Sequence, residues 1–128
     1  MTDLNKSIQE LKNEDWEPAS YPSFLVQRCN ELRRKPLKDF SIEDLRIMIG
    51  QQFDLELLVP LALDFLKDNP LAEGDYFPGD LLKNVLEISN DYWDIHREQY
   101  FMINEIVKKL DHLPDFIDES YKIFSRNI

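Results

Sequence analysis

Glycine is scarce in this chain, at 3 of 128 residues. A loop that cradles phosphate needs glycines at fixed spacing, and neither GxGxxG nor GxxxxGK[ST] occurs, so those nucleotide sites are excluded. Cysteine is scarcer: Cys29 stands alone, no intrachain disulfide can form, and a reducing cytosol fits. The two histidines are His96 and His112. A di-iron bundle places Glu three residues before His. Positions 93 and 109 hold Trp93 and Lys109 instead, and HExxH is missing too. A zinc site would have to gather Cys29 and scattered carboxylates, which is a poor ligand set. No apolar run approaches the roughly 20 residues that cross a bilayer. The opening MTDLNKSIQELKNED lacks the apolar centre of an export signal, so a cytoplasmic protein is expected.

What is abundant is negative charge. The net charge is -10 and the pI about 4.6, with 43% hydrophobic and 12% aromatic residues. That composition suits one globular domain spanning 1–128, with a real core. Its surface repels nucleic acid and anionic membrane, and attracts basic proteins or cations. Between Glu73 and Glu98 seven acids face only Lys83 and Arg97. These acids are Glu73, Asp75, Asp80, Glu87, Asp91, Asp94 and Glu98; they are either solvated helix faces or a partner surface. Between Arg28 and Lys38 five bases oppose Glu31, which reads as a solvated, basic helix C-terminus complementing the macrodipole.

Apolar spacing predicts an all-α chain, an irregular single-domain bundle of about six to seven helices. The first helix carries Leu4, Ile8 and Leu11 behind a cap at Thr2 or Asp3. A loop follows from Trp16 to Pro22, then a helix to Arg34 with apolar Leu25, Cys29 and Leu32 on one face, which stops at Pro36. Ser41 caps the third helix, with Asp44 as a weak capping-box partner, and Gly50 closes it in a left-handed turn. Asp54 caps a fourth helix, Leu55 to Lys67, apolar nearly all round, with a kink or restart near Val59 ahead of Pro60. Asp80 caps a fifth helix through Ile88. A sixth runs unbroken from Asp91 to Leu110, and the last starts at Pro114. No period-two alternation bounded by turns predicts a sheet.

The loop from Leu71 to Gly79 is the strongest local signal. Its glycines permit unusual backbone angles and its prolines restrict the rest, which favours a preorganised epitope. Tyr76 is expected to be an exposed recognition tip and Phe77 a plug against the core. The DxDxDG spacing of a calcium loop is absent. Asp94, His96 and Glu98 are too closely spaced to share a helix face, so His96 reads as a packed or hydrogen-bonded side chain. Cys29 reads as a small buried hydrophobe, and Trp16 and Trp93 as core anchors.

Several pieces of the chain's middle resemble a family of bacterial proteins. They are Pro36-Leu37, Glu43-Asp44-Leu45-Arg46, Ile49-Gly50-Gln51, Leu58 to Leu63, Asn69-Pro70-Leu71, Tyr76 to Leu82 and Val85-Leu86. Together they look like a helical family of contact-dependent growth inhibition immunity proteins. The match covers a little under half of the chain, and residues before Pro36 and after Trp93 add little to it. The resemblance implies a non-enzymatic cytosolic inhibitor without cofactor. It would bind the C-terminal toxin domain of a large secreted effector, a nuclease with a basic cleft. The matching positions, largely Leu, Pro and Gly, look like fold residues. The partner-binding set Glu73, Asp75, Tyr76, Asp80, Glu87, Asp91, Asp94 and Glu98 therefore rests on charge and loop placement. Two other readings compete: an acidic helical adaptor for a basic cellular protein, and a small carboxylate enzyme or metal protein.

Overall fold

Leu58, Val59, Ala62, Leu63 and Leu66 recur every three or four residues along Leu55–Asp68, and all five are buried. In the computed structural model this segment is the helix against which three others pack. The structure describes residues 2–13 and 24–126. Among the described residues there are eight α-helices and no strand. In order they are α1 (Ile8–Lys12), α2 (Phe24–Leu32), α3 (Ile42–Gly50), α4 (Leu55–Asp68), α5 (Asp80–Leu86), α6 (Asn90–Ile95), α7 (Arg97–Lys108) and α8 (Asp115–Ser125), with a short 3-10 turn at Leu37–Asp39. Helix α3 packs on α4 and α5, α4 also on α5 and α7, and α5 on α8. The expected all-α architecture is what forms.

Local chemistry explains several boundaries. Ser41 caps α3 reciprocally: its hydroxyl accepts the Asp44 N–H and the Asp44 carboxylate accepts the Ser41 N–H at 3.0 Å. The same device at Ser7 and Glu10 starts α1 five residues after Thr2, so neither Thr2 nor Asp3 is the cap. Pro114 precedes α8, as expected. The buried Trp93 anchors the far end of the bundle, edge-on to Tyr100 and Phe124 at 6.0 and 5.5 Å. Tyr100 stacks on Phe124 and donates its hydroxyl to the Phe124 carbonyl at 2.7 Å, tying α7 to α8. Truncating Trp93 to Ala would cost about 3–5 kcal/mol. Trp16 and the loop expected around it lie outside the described residues.

Four expectations need correction. Helix α4 is not apolar all round: Glu56, Pro60, Asp64 and Lys67 form an exposed face, and the helix runs uninterrupted through Pro60. Pro60 sits on that exposed side, where water can serve the carbonyl its ring leaves without a donor. Gly50 is helical, and the left-handed residue is Gln52, at φ 58°. A Cβ at 50 would lie 2.8 Å from Asn84 Nδ2, so a larger residue there would have to displace the amide that donates to the Arg46 carbonyl. Finally, the expected sixth helix is two. His96, at φ -112° and ψ 57°, ends α6 by donating to Tyr92 O and opens α7 by accepting the Tyr100 N–H. Its ring stacks on Tyr92 at 4.0 Å, and Nδ1 lies 3.0 Å from the same Tyr92 carbonyl. A carbonyl only accepts, so Nδ1 carries the proton.

Three bases of the run 28–38, Arg28, Arg33 and Lys35, reach buried carboxylates. Asp44, buried, receives Arg28 at 3.0 Å and Lys35 at 2.6 Å. Burial opposes ionisation of Asp44, but the Lys35 and Ser41 bonds and the charges of Lys35 and Arg28 outweigh it and hold the carboxyl below its ordinary range. Arg33 is buried and meets Asp54 at 2.5 Å, and Asp54 also takes Lys12 at 2.7 Å. Asp54 therefore does not cap α4 through its side chain; it sits in the left-handed region at φ 53° and ties α1 and the end of α2 to α4. Arg28, Arg33 and Lys35 are structural partners of buried carboxylates, while Arg34 and Lys38 are exposed, as expected of a solvated face.

Candidate partner-binding surface

The loop between α4 and α5 is organised by one carboxylate. Asp80 is 2% exposed, and its oxygens accept the backbone N–H groups of Gly74 at 2.7 Å, Tyr76 at 3.1 Å and Phe77 at 3.4 Å. Asp80 was expected at the helix cap. That position belongs to Gly79, at φ 90°, where glycine avoids the steric cost of a left-handed backbone. Gly74 has a different duty. A Cβ there would lie 2.5 Å from Glu43 Oε1 and 3.1 Å from Asp80 Oδ2, so the residue is small to let two carboxylates reach the loop backbone.

A second clamp comes from α3. Glu43 accepts the Asp75 N–H at 2.9 Å and is gripped by Arg46 through two bonds of 2.6 and 2.5 Å. The Arg46 bond is the chief reason that the Glu43 carboxyl lies below its ordinary value, and burial opposes it. The Arg46 guanidinium also lies 4.3 Å from the Tyr76 ring centroid and 3.9 Å from Asp80. Glu43 and Arg46 were not among the expected site residues. Their signal was a charged i, i+3 pair on a helix of otherwise apolar inner positions. A backbone bridge between Glu73 and Pro78 closes the loop, and Phe77 packs edge-on against Phe116 at 4.6 Å. Tyr76 is 69% exposed.

The eight expected residues fall into separate neighbourhoods. Glu73, Asp75 and Tyr76 are exposed together on the clamped loop, with Asp80 beneath them. Glu87, at the end of α5, is exposed; it pairs with Lys83 and accepts the Ser120 hydroxyl of α8 at 3.3 Å. Asp91 and Asp94 project from α6 into solvent. Glu98 is exposed on α7, beside Phe101 and Met102 rather than beside the loop. Asp94 and Glu98 do not join His96 in an acid/base cluster, because the ring is engaged with Tyr92. Burial, and then the charge of Glu56, push the Tyr92 phenol up to about 12, so it stays protonated. Cys29 is buried, which raises its thiol above the usual range. Among the described residues no three His, Cys, Asp or Glu side chains are grouped to hold a metal ion, and no helix is long and apolar enough to cross a membrane.

No curated protein matches the chain. Residues 10–103 match a protein-family model described as CDI immunity proteins, CDI being contact-dependent growth inhibition. The match reaches well ahead of Pro36 and past Trp93, beyond the central residues that first carried the resemblance. It takes in the clamped loop, its Glu43–Arg46 support, and the ion pairs on Asp44 and Asp54, while α8 lies outside it. The chain belongs to the family of CDI immunity proteins.

Proposed function

We propose that this protein binds the C-terminal toxin domain of a CDI effector in the cytoplasm and blocks it, and that the toxin is a nuclease with a basic cleft. The loop 73–79 makes the first contact, with Glu73, Asp75 and Tyr76 facing the toxin. Glu87, Asp91 and Asp94 extend the negative field along α5 and α6. Asp80 acts from behind, by holding the loop. The inhibitor itself performs no chemistry and needs no cofactor.

The observation that supports this reading most is the three-amide clamp on Asp80 beneath an exposed Tyr76. A loop already fixed by buried bonds gives up little conformational entropy on binding, so more of its contact energy is left as affinity. Exposed aromatics flanked by charge are frequent interface hot spots. The net charge of -10 favours fast association with a basic partner, and exposed carboxylates can stand in for the phosphates that a basic cleft would hold.

The test is to mix the protein with the toxin domain encoded beside it and follow nucleic-acid cleavage. The proposal predicts loss of cleavage at equal stoichiometry, and slower complex formation as salt rises. Full cleavage in the presence of a formed complex would refute inhibition. Capture of basic housekeeping proteins alone would favour an acidic adaptor instead.

A further inference from the structure

Tyr76 is held at two levels, and the carboxylate clamp accounts for only one of them. Asp80 accepts the Tyr76 N–H at 3.1 Å. That bond sets the main chain and leaves the side-chain torsions open. The ring is exposed, and among the described residues its hydroxyl has no hydrogen-bond partner. The charged group that lies over the ring is Arg46, 4.3 Å from the centroid. Arg46 is itself firmly mounted. It belongs to α3, and its carbonyl accepts the Asn84 amide of α5 at 2.9 Å. Its largely buried side chain grips both oxygens of Glu43, at 2.6 and 2.5 Å, and Nε lies 3.9 Å from Asp80. A guanidinium gripped along one edge keeps its flat face free for an aromatic ring.

We infer that Arg46 is a positioning residue for toxin recognition: it holds the Tyr76 ring in one rotamer, so that the tip meets its partner already ordered. The inference rests on the loop being the surface that meets the toxin. An exposed tyrosine without such a support exchanges rotamers, and binding must then freeze it at a cost in affinity. A cation over an exposed ring is a modest hold, so the effect is a few-fold one. Charge gives it a distinctive sign. Removing Arg46 makes the surface more negative, which does not weaken steering toward a basic partner. A loss of affinity must then come from the ring, or from the Glu43 bond to the Asp75 N–H that Arg46 supports. Removing the ring separates these two routes.

Two measurements on the full chain test the inference, with circular dichroism confirming that each variant is folded. The first needs no toxin. Three-bond NMR couplings to Cγ report the χ1 rotamer of Tyr76. One rotamer should dominate in the wild type. Averaging should appear in Arg46→Gln, which loses the cation but still reaches Glu43. Arg46→Lys restores a charge without the fork and should recover the order in part. The second measurement titrates the toxin domain encoded beside the protein. Arg46→Gln should weaken affinity by about two- to fivefold, through faster dissociation, and Arg46→Lys by less. In a Tyr76→Ala background, Arg46→Gln should change affinity no further. An averaged ring in the wild type would overturn the inference and leave the loop reading standing. Equal losses from Arg46→Gln with and without the ring would assign Arg46 to the backbone clamp alone and overturn it too. Wild-type affinity in Tyr76→Ala would remove the tip from the interface, and this role with it.

Discussion

Asp80 Oδ1 accepts the backbone N–H of Gly74 at 2.7 Å, across six residues of chain. This bond makes the acidic loop a fixed object, because the same carboxylate also holds the amides of Tyr76 and Phe77. Asp80→Asn keeps the shape but replaces one acceptor oxygen with a donor that faces backbone N–H groups. We expect a loss of about 1–3 kcal/mol in stability. Faster amide exchange at residues 74–77, measured by hydrogen–deuterium exchange, should accompany it. Unchanged exchange would mean that the loop is held elsewhere.

Gly74→Ala tests the same clamp from the backbone side. The added methyl meets Glu43 and Asp80 together, and displacing either removes a loop bond. The expected result is a folded protein of lower melting temperature and raised loop exchange, while Gly50→Ala should disturb only the contact with Asn84.

Arg33 and Asp54 are both buried, with side chains 2% and 5% exposed. Asp54→Ala removes the carboxylate that Arg33 and Lys12 share. A loss of about 3–5 kcal/mol in denaturant unfolding is expected, since a buried guanidinium loses the carboxylate that it meets at 2.5 Å. Exchanging both partners for uncharged residues of similar size should cost clearly less. Equal losses in the single and double variants would remove the ion pair from the account.

Stability should depend on pH at both ends of the scale. Glu43, Asp44 and Glu56 titrate below their ordinary values of 4.5, 3.8 and 4.5 in the folded chain. Their pairs contribute fully above those values, and the contribution disappears as pH falls below them through the folded-state pKa values. Lys12 titrates above its ordinary 10.5: burial pulls it down, but Asp54 and Glu56 outweigh that. Its contribution is complete below 10.5 and disappears as pH rises through the raised value. Urea midpoints should therefore fall at acid pH. Asp44→Asn, less stable at neutral pH, should show a shallower acid fall than the wild type.

The parts of the fold that were legible in sequence are those written over a few residues. Ser41 and Asp44 sit three apart ahead of an apolar run, so their capping box could be read directly. Glycine and proline marked the loop, and Tyr76 and Phe77 divided as their neighbours suggested, one exposed and one against Phe116. What could not be read depends on distant partners. Asp54 looked like a cap because it precedes a helix, but its carboxylate is taken by a residue 21 positions earlier. Arg28, Arg33 and Lys35 looked solvated because Asp44 and Asp54 reach them only through folding. The break at His96 carries no Pro or Gly, so nothing local announces it. In the candidate site, the exposed acids were visible as a charge block, but the burial of Asp80 and the clamp by Glu43 needed the loop's closure onto α3.

Tyr76 is the aromatic the partner would meet first. Tyr76→Ala should raise the dissociation rate of the toxin complex, at a cost of about 2 kcal/mol or more if it is a hot spot. Tyr76→Phe should be milder, since the ring over Arg46 is kept. Isothermal titration of the three proteins against the toxin domain gives the affinity losses, and displacement from the preformed complex gives the dissociation rates.

The central claim is that a preorganised acidic loop captures the toxin. The most direct measurement is the association rate of the Glu73→Lys/Asp75→Lys variant with the toxin domain, by stopped flow at low and high salt. Both side chains are exposed, and the variant should keep wild-type helix content. The account predicts association slowed by about tenfold or more at low salt, with the difference shrinking as salt screens the loop's charge. Wild-type rates at both salt concentrations in the folded variant would contradict it, and would move the toxin-binding surface away from this loop.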